Sequence, residues 1–380
     1  MVMKVLHVIP SFYPAAIYGG LTESVYQLCR HLLFHGCEIR VLTTDANGLG
    51  TVLDVPTARE VGFATGWRVR YCHRLAGDAV SPALLRWLSS SIRWADVVHL
   101  TTVYSFPTIP TLFLCKILGK PVVWSPTGAL QRWQGSTRRV LKICWESVCR
   151  IAVPKRLLLH ATSVEEAHES APRFPGAETV CIPYGVEIPQ HVAHVERTHT
   201  LRLLYLGRLH PKKGIENLLE ACHRLKGTGS VLWMLTLAGA GGPHYTETLR
   251  SRIRMLGLSE EVQMVGLIFG CAKRTLFEHA DIVLVPSYTE SFGMVVAEAL
   301  AHGVPVIVSR GAPWKRVEEV GCGLWVENDR ESLAEAVTRM SVMPLSTMGH
   351  RGREWMEKEF SWDLMASALA RRYAEIMGRE

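Results

Sequence analysis

Twice along this chain an apolar run rich in β-branched residues gives way to a glycine-containing loop and then to a stretch with helical spacing. The first series opens with KVLHVIP, passes through SFYPAAIYGG and continues in LTESVYQLCRHLLFHG. EIRVLTT, DVVHLTT, KPVVWSP and RLLLHAT follow as short apolar runs bounded by charge and proline. The second series restarts at LRLLYLG, RLHPKKG and IENLLEACHRL, with VLWMLTLAG, VQMVG, DIVLVPS and PVIVSR as further strands. Strands alternating with helices build parallel sheets covered on both faces. Two such series in 380 residues predict two doubly wound α/β domains. The expected bounds are 1–190 and 191–360, linked through the polar, proline-containing PYGVEIPQHVAHVERTHT. Residues 361–380 read as a last helix that packs back on the first domain.

The remaining bulk features narrow the class. No run of about 18 apolar residues suggests a membrane-spanning helix, and Pro10 interrupts the start too soon for a secretion signal. Ten cysteines without a C-x-x-C pair read as reduced thiols, which places the chain in the cytoplasm. Sixteen histidines show no H-E-x-x-H spacing and no D-x-D occurs, so no metal is expected. Residues 1–190 hold 19 Lys and Arg against 13 Asp and Glu, while the remainder is nearly balanced at 23 against 22. Between Thr127 and His160 seven basic residues face one acidic one. That segment is either a solvated basic face or a surface for an anionic partner. Nucleic acid is not expected, because no recognition motif accompanies the cations. On a helix, Leu141, Trp145 and Val148 share one face while Arg138, Arg139, Lys142 and Arg150 lie mostly elsewhere. Two readings stand: a core-packed helix with a basic exterior, or an interfacial helix on an anionic membrane that presents a lipid-linked acceptor.

Ligands in doubly wound sheets gather at the carboxyl ends of strands, and two loops there carry chemistry. In YLGRLHPKKGIENLL, Arg208 and Lys213 stand at either end of a strand-to-helix loop, a spacing that can close on a diphosphate. In PSYTESFGMVVAEAL, Glu290 lies in the loop before a helix and Glu298 lies inside it. The N–H groups of Gly293, Met294 and Val295 are that helix's unpaired donors. Carboxylates for hydroxyls and N–H groups for an anion suit a sugar joined to a diphosphate and a ribose. The same two glutamates could serve a glycoside hydrolase, but that reading leaves Arg208 and Lys213 unexplained. LAGAGGPHY lacks the G-x-G-x-x-G spacing of a dinucleotide fingerprint.

The combination GRL-x-x-x-KG followed by E-S-F-G-x-x-x-x-E, with Gly19-Gly20 near the start and GAPW…GCGLWV near the end, resembles the retaining glycosyltransferases of family 4, also called glycosyl transferases group 1. The resemblance covers nearly the whole chain. It implies the GT-B fold, two Rossmann-like domains facing each other across a cleft, and metal-independent transfer of a sugar from a nucleotide-diphosphate donor without any cofactor. Arg208 and Lys213 would hold the diphosphate, and Glu290 would orient the donor sugar with the amides of Ser291, Phe292, Gly293, Met294 and Val295. Glu298 would bind the ribose, and Gly266 and Leu267 would lie near the base. Gly19 and Gly20 would let the backbone approach diphosphate and acceptor. The acceptor would be a glycan or a lipid-linked sugar in cell-surface polysaccharide synthesis, at the inner face of the plasma membrane. One departure stands out. Relatives read like S-P-H-G-M-L where this chain has Ser125-Pro126-Thr127-Gly128-Ala129-Leu130, so Thr127 occupies the usual histidine position. A nucleotide-sugar-binding protein with reduced or lost catalysis is therefore the alternative. His99, where relatives often carry H-x-H-G, reads as a structural residue at a strand end.

Overall fold

The computed structural model describes residues 2–378 apart from 49, 58, 78, 134, 136, 194, 197 and 198. The chain divides into two compact units, Met1–Gly185 with Trp362–Glu380, and Val186–Ser361.

Eight strands form the sheet of the first unit: β1 (Met3–Ser11), β2 (Cys37–Thr44), β3 (Val61–Ala64), β4 (Trp67–Cys72), β5 (Val97–Thr101), β6 (Val122–Ser125), β7 (Leu157–Ala161) and β8 (Glu178–Cys181). They lie in the order β3-β4-β2-β1-β5-β6-β7-β8, all parallel except the β3–β4 pair. The middle strands β5, β6 and β7 are buried along their whole length, as a sheet with helices on both faces requires. The helix Trp362–Met377 packs on the helix Gly20–Leu32 and so completes this unit with residues from the far end of the chain.

The second unit has six parallel strands: β9 (Leu201–Leu206), β10 (Trp233–Ala238), β11 (Val262–Gly266), β12 (Ile282–Val285), β13 (Val306–Ser309) and β14 (Gly323–Val326). Their order, β11-β10-β9-β12-β13-β14, reverses direction between β9 and β12. That reversal is a topological switch point, the place where ligands bind in such folds.

The centre of the first sheet carries an unusual polar chain. His7, His99 and His160 sit on adjacent or near-adjacent strands and are 0–2% exposed. The His7 and His99 rings stack with centroids 4.6 Å apart. His99 bonds the Tyr373 hydroxyl through Nδ1 and Ser125 Oγ through Nε2 at 2.6 Å, and Ser125 Oγ meets His160 Nδ1 at 2.7 Å. The chain ends where His160 Nε2 donates to the Ile182 carbonyl at 2.8 Å. Neither ring nitrogen of His7 has a hydrogen-bond partner among the described residues. Burial pushes the pKa of His7 down to about 3 and that of His160 to about 4, and His99 is also driven well down. His99 is therefore a structural residue of the core.

A stability consequence follows from linkage. The folded state excludes protons that the unfolded histidines bind near their ordinary value of 6.5, so stability falls as pH drops below that value. The loss continues until the folded-state values near 3 to 4 are reached. The variant His7→Leu removes two unpaired buried nitrogens. It is expected to raise the melting temperature at pH 7.5 by about 2–4 °C and to shrink the drop between pH 7 and pH 5, measured by differential scanning fluorimetry.

Candidate functional site

At the switch point of the second sheet, the loop after β9 runs through Gly207 and Arg208 to a short 3-10 turn, Pro211–Lys213, and then the helix Ile215–Thr228. The loop after β12 runs through Ser287 and Glu290 to the helix Met294–Ala301. The two loops are tied backbone to backbone, Tyr288 N–H donating to the Lys212 carbonyl at 2.9 Å. Gly214 makes this approach possible. Its φ is +62°, and a Cβ there would stand 2.1 Å from the Pro286 carbonyl oxygen, so no other residue fits. Glu290 N–H in turn donates to the Gly311 carbonyl at 2.9 Å, fixing the tip of its loop.

That docking brings Lys213 against Glu290. Lys213 Nζ donates to Glu290 Oε1, with the two side chains only 18% and 13% exposed. Ser287 Oγ donates to the same oxygen at 2.7 Å. Burial alone would raise the Glu290 pKa, but the Lys213 ammonium and the Ser287 and Lys213 hydrogen bonds outweigh it and hold the carboxyl below its ordinary range. The Glu290 carboxyl is thus kept ionised at neutral pH although its side chain is mostly buried.

Glu298 lies on the helix that begins beside them. Its Oε1 accepts from Lys273 Nζ at 2.5 Å, while Oε2 is buried without a hydrogen-bond partner among the described residues. A buried carboxylate oxygen left open this way suits a hydroxyl donor from a ligand. At the start of that helix Gly293 adopts a left-handed conformation, φ 88°. Phe292 is buried against Trp314, which donates its indole N–H to the Phe292 carbonyl. Ser291, Gly293, Met294 and Val295 are half-buried, and in the first turn Val296 N–H donates to the Gly293 carbonyl at 2.9 Å.

The other expected residues fall into place less tightly. Arg208 is exposed, and its carbonyl, rather than its guanidinium, is held, accepting from the Tyr205 hydroxyl at 2.9 Å. Gly266 ends β11 with φ 77°, and Leu267 is 43% exposed. Gly19 (φ 71°) and Gly20 sit at the start of the helix Gly20–Leu32 in the first unit. Thr127, also in the first unit, has φ 53°. A β-branched residue in the left-handed region costs about 1–3 kcal/mol unless its surroundings impose it. Here they do: the next residue, Gly128, donates its N–H to Glu166 Oε1 at 2.5 Å. Glu166 is fully buried, and its other oxygen accepts from Thr162 N–H at 2.8 Å and Thr162 Oγ at 2.7 Å.

Three residues escaped the sequence reading: Ser287, Lys273 and Glu166. Ser163-Val164-Glu165-Glu166 has the spacing of a capping box, and Ser163 does cap its helix, Oγ accepting from Glu166 N–H at 3.1 Å. The signal was readable, but the Glu166 side chain reaches across to Gly128. Nothing local marks Lys273, since its partner Glu298 lies two elements away. Among the described residues no group of three or more His, Cys, Asp or Glu is placed to hold a metal ion.

Because Gly214 is where the two loops touch, Gly214→Ala is expected to cost more than about 2 kcal/mol of stability. It should also separate Lys213 from Glu290. Thermal melts together with amide hydrogen exchange of the 286–293 loop would check both effects.

Residues 188–354 match the family model for glycosyl transferases group 1. An uncharacterised glycosyltransferase of Methanocaldococcus jannaschii is 31% identical over 188 residues, 47% of this chain and 46% of that protein. Over a longer span, the GDP-mannose:cellobiosyl-diphosphopolyprenol alpha-mannosyltransferase of Xanthomonas oryzae pv. oryzae is 28% identical over 354 residues, 90% of this chain and 88% of that one. Among solved structures, sucrose-phosphate synthase from Thermosynechococcus elongatus superimposes with a TM-score of 0.79 at 20% identity, covering 99% of both chains. The chain has the GT-B fold, and its residues 188–354 resemble the glycosyl transferases group 1 family.

Proposed function

We propose that this protein is a retaining, metal-independent hexosyltransferase of family 4 that moves a sugar from a nucleotide-diphosphate donor to a lipid-linked or glycan acceptor in cell-surface polysaccharide synthesis. The observation that carries the reading is the meeting of Lys213 and Glu290 at the β9/β12 switch point, beside the start of the helix that carries Glu298. Cleavage of a sugar–phosphate bond develops negative charge on the departing diphosphate. Lys213 and the first-turn amides of the helix Met294–Ala301 would meet that charge, and a cation or dipole already in place stabilises the transition state more than the ground state. Arg208, exposed in the loop after β9, would be the second cation that closes on the diphosphate. Glu290, kept ionised, accepts from sugar hydroxyls, and Glu298 Oε2 accepts from the ribose.

The mannosyltransferase of Xanthomonas oryzae, whose name specifies GDP-mannose and a diphosphopolyprenol acceptor, supports a lipid-linked acceptor here. The nucleotide-sugar binding protein without turnover is the second reading, favoured by a threonine at position 127 where relatives carry histidine. Thr127 cannot donate from a titratable ring, but its fixed left-handed backbone is the kind of strain found at ligand contacts.

Lys213→Ala is expected to lower turnover by a factor on the order of 100 to 1,000 in a labelled-donor transfer assay, with secondary structure unchanged by circular dichroism. Unaltered turnover would end the assignment of Lys213 to the leaving group. A nucleotide-sugar panel at about 100 times Kd should stabilise the wild type by about 2.7 kcal/mol, seen as a thermal shift. A shift without transfer to any acceptor would favour the second reading.

A further inference from the structure

The helix Arg139–Ala152 in the first unit is inside out. Its one acid, Glu146, points inward and is 1% exposed, bonded to the Tyr104 hydroxyl, to Arg132 and to Arg173, whose Nη1 lies 3.1 Å from Oε2. Trp145 is also turned in, its indole N–H donating to the Val103 carbonyl at 2.9 Å. The apolar residues face out instead: Val140 is 72% exposed, Leu141 66%, Ile143 55%, Val148 46% and Ile151 74%. Val140, Val148 and Ile151 recur at helical spacing and form a single stripe. Leu141 and Val148 therefore do not pack in the core, which removes the core-packed alternative for this helix. On the adjoining helix Thr108–Ile117, Phe113 and Ile117 are 54% and 63% exposed, and Lys116 Nζ donates to the Ile151 carbonyl at 2.5 Å, joining the two helices.

Cations frame this apolar face. Arg138 and Arg139 stand exposed at the N-terminal end of the helix, and Arg150 and Lys155 at the other. The first pair lies where the helix dipole disfavours positive charge, so their own fold gains nothing from them there. Neither helix carries an acid other than the inward Glu146. A folded chain gains no stability by exposing isoleucine and valine in a row, and an apolar stripe of this extent marks a contact surface. Among the described residues no helix is long and apolar enough to cross a membrane.

We propose that this face is a monotopic membrane-docking surface, which lies flat on an anionic lipid bilayer with Val140, Ile143, Val148 and Ile151 inserted among the acyl chains and the framing cations on lipid phosphates. The fourteen-residue helix is about 21 Å long, and a helix of this pattern with basic flanks binds by buried apolar area plus attraction to negative headgroups. The charge pattern selects lipid over a second copy of the chain, because the same basic frame on both partners would repel.

The test is co-sedimentation of the full chain, without donor or acceptor, with phosphatidylcholine vesicles that contain or lack phosphatidylglycerol. The wild type is expected to pellet with the phosphatidylglycerol vesicles at low salt and to be released by high salt. Val140→Ser combined with Ile151→Ser should weaken partitioning at least tenfold. Arg139→Gln combined with Lys155→Gln should weaken it roughly thirtyfold, at about 1 kcal/mol per charge. All four positions are exposed, so melting curves should stay within a degree or two of the wild type, which separates lost docking from lost folding. No binding by the wild type, or equal binding by all variants, would overturn the proposal. So would light scattering that shows a dimer dissolved by Ile151→Ser in a chain that ignores vesicles. Since the readout uses no sugar donor, failure here leaves the transferase reading intact, and failure of transfer leaves this one intact.

Discussion

A lysine and a glutamate held together in a half-dry crevice are the constraint on which the second unit depends. Placing either charge alone there would cost several kcal/mol of lost hydration. Placing both, with Ser287 on the same carboxylate oxygen, makes the cost tolerable. Yet the pair has one feature a purely structural ion pair does not need. Each partner sits on a loop leaving a different strand, at the one place in the sheet where the connections diverge. The pair thus lies where the proposed donor site would have its floor. In the proposed function, a diphosphate arriving with its sugar would offer Lys213 a new partner and Glu290 a set of hydroxyls.

The loops hold that position through backbone contacts more than through side chains. Gly214 against Pro286 and Tyr288 N–H on the Lys212 carbonyl join the two crevice walls. Further along the same edge, a Cβ on Gly239 would lie 1.8 Å from the Gly207 carbonyl oxygen, and Leu209 N–H donates to Ala240 at 2.8 Å. The sheet in effect continues past the ends of its strands. This leaves side chains such as Arg208 and Glu298 available for ligand chemistry on a rigid base.

Much of this was legible in the sequence, and the exceptions have physical reasons. Long β-branched runs such as DVVHLTT and DIVLVPS announce buried parallel strands because a two-sided core demands apolar residues at every position. The strands β3, β4, β8 and β14 passed unnoticed because each is short or half-exposed, and a four-residue run such as ETVC has too little period to read. Lys213 and Glu290 could be singled out in the sequence because loop chemistry is local. Their mutual contact could not, since it spans 77 residues and depends on sheet order. Helical spacing grouped Leu141, Trp145 and Val148 on one face, but the structure turns Trp145 inward and leaves Leu141 and Val148 exposed. Burial is set by the neighbours, here the Tyr104, Arg132 and Arg173 cluster that draws Glu146 inward.

The first unit is assembled from two separated pieces of chain, Met1–Gly185 and Trp362–Glu380. During synthesis, its sheet emerges from the ribosome long before the closing helix does. The intervening unit of 176 residues takes on the order of ten to forty seconds to translate. Throughout that interval His99 lacks its Tyr373 hydroxyl, and the groove beside the helix Gly20–Leu32 lacks its cover. The nascent protein must therefore wait for its own last segment, and the second unit is free to mature first. Order of birth and order of completion are reversed.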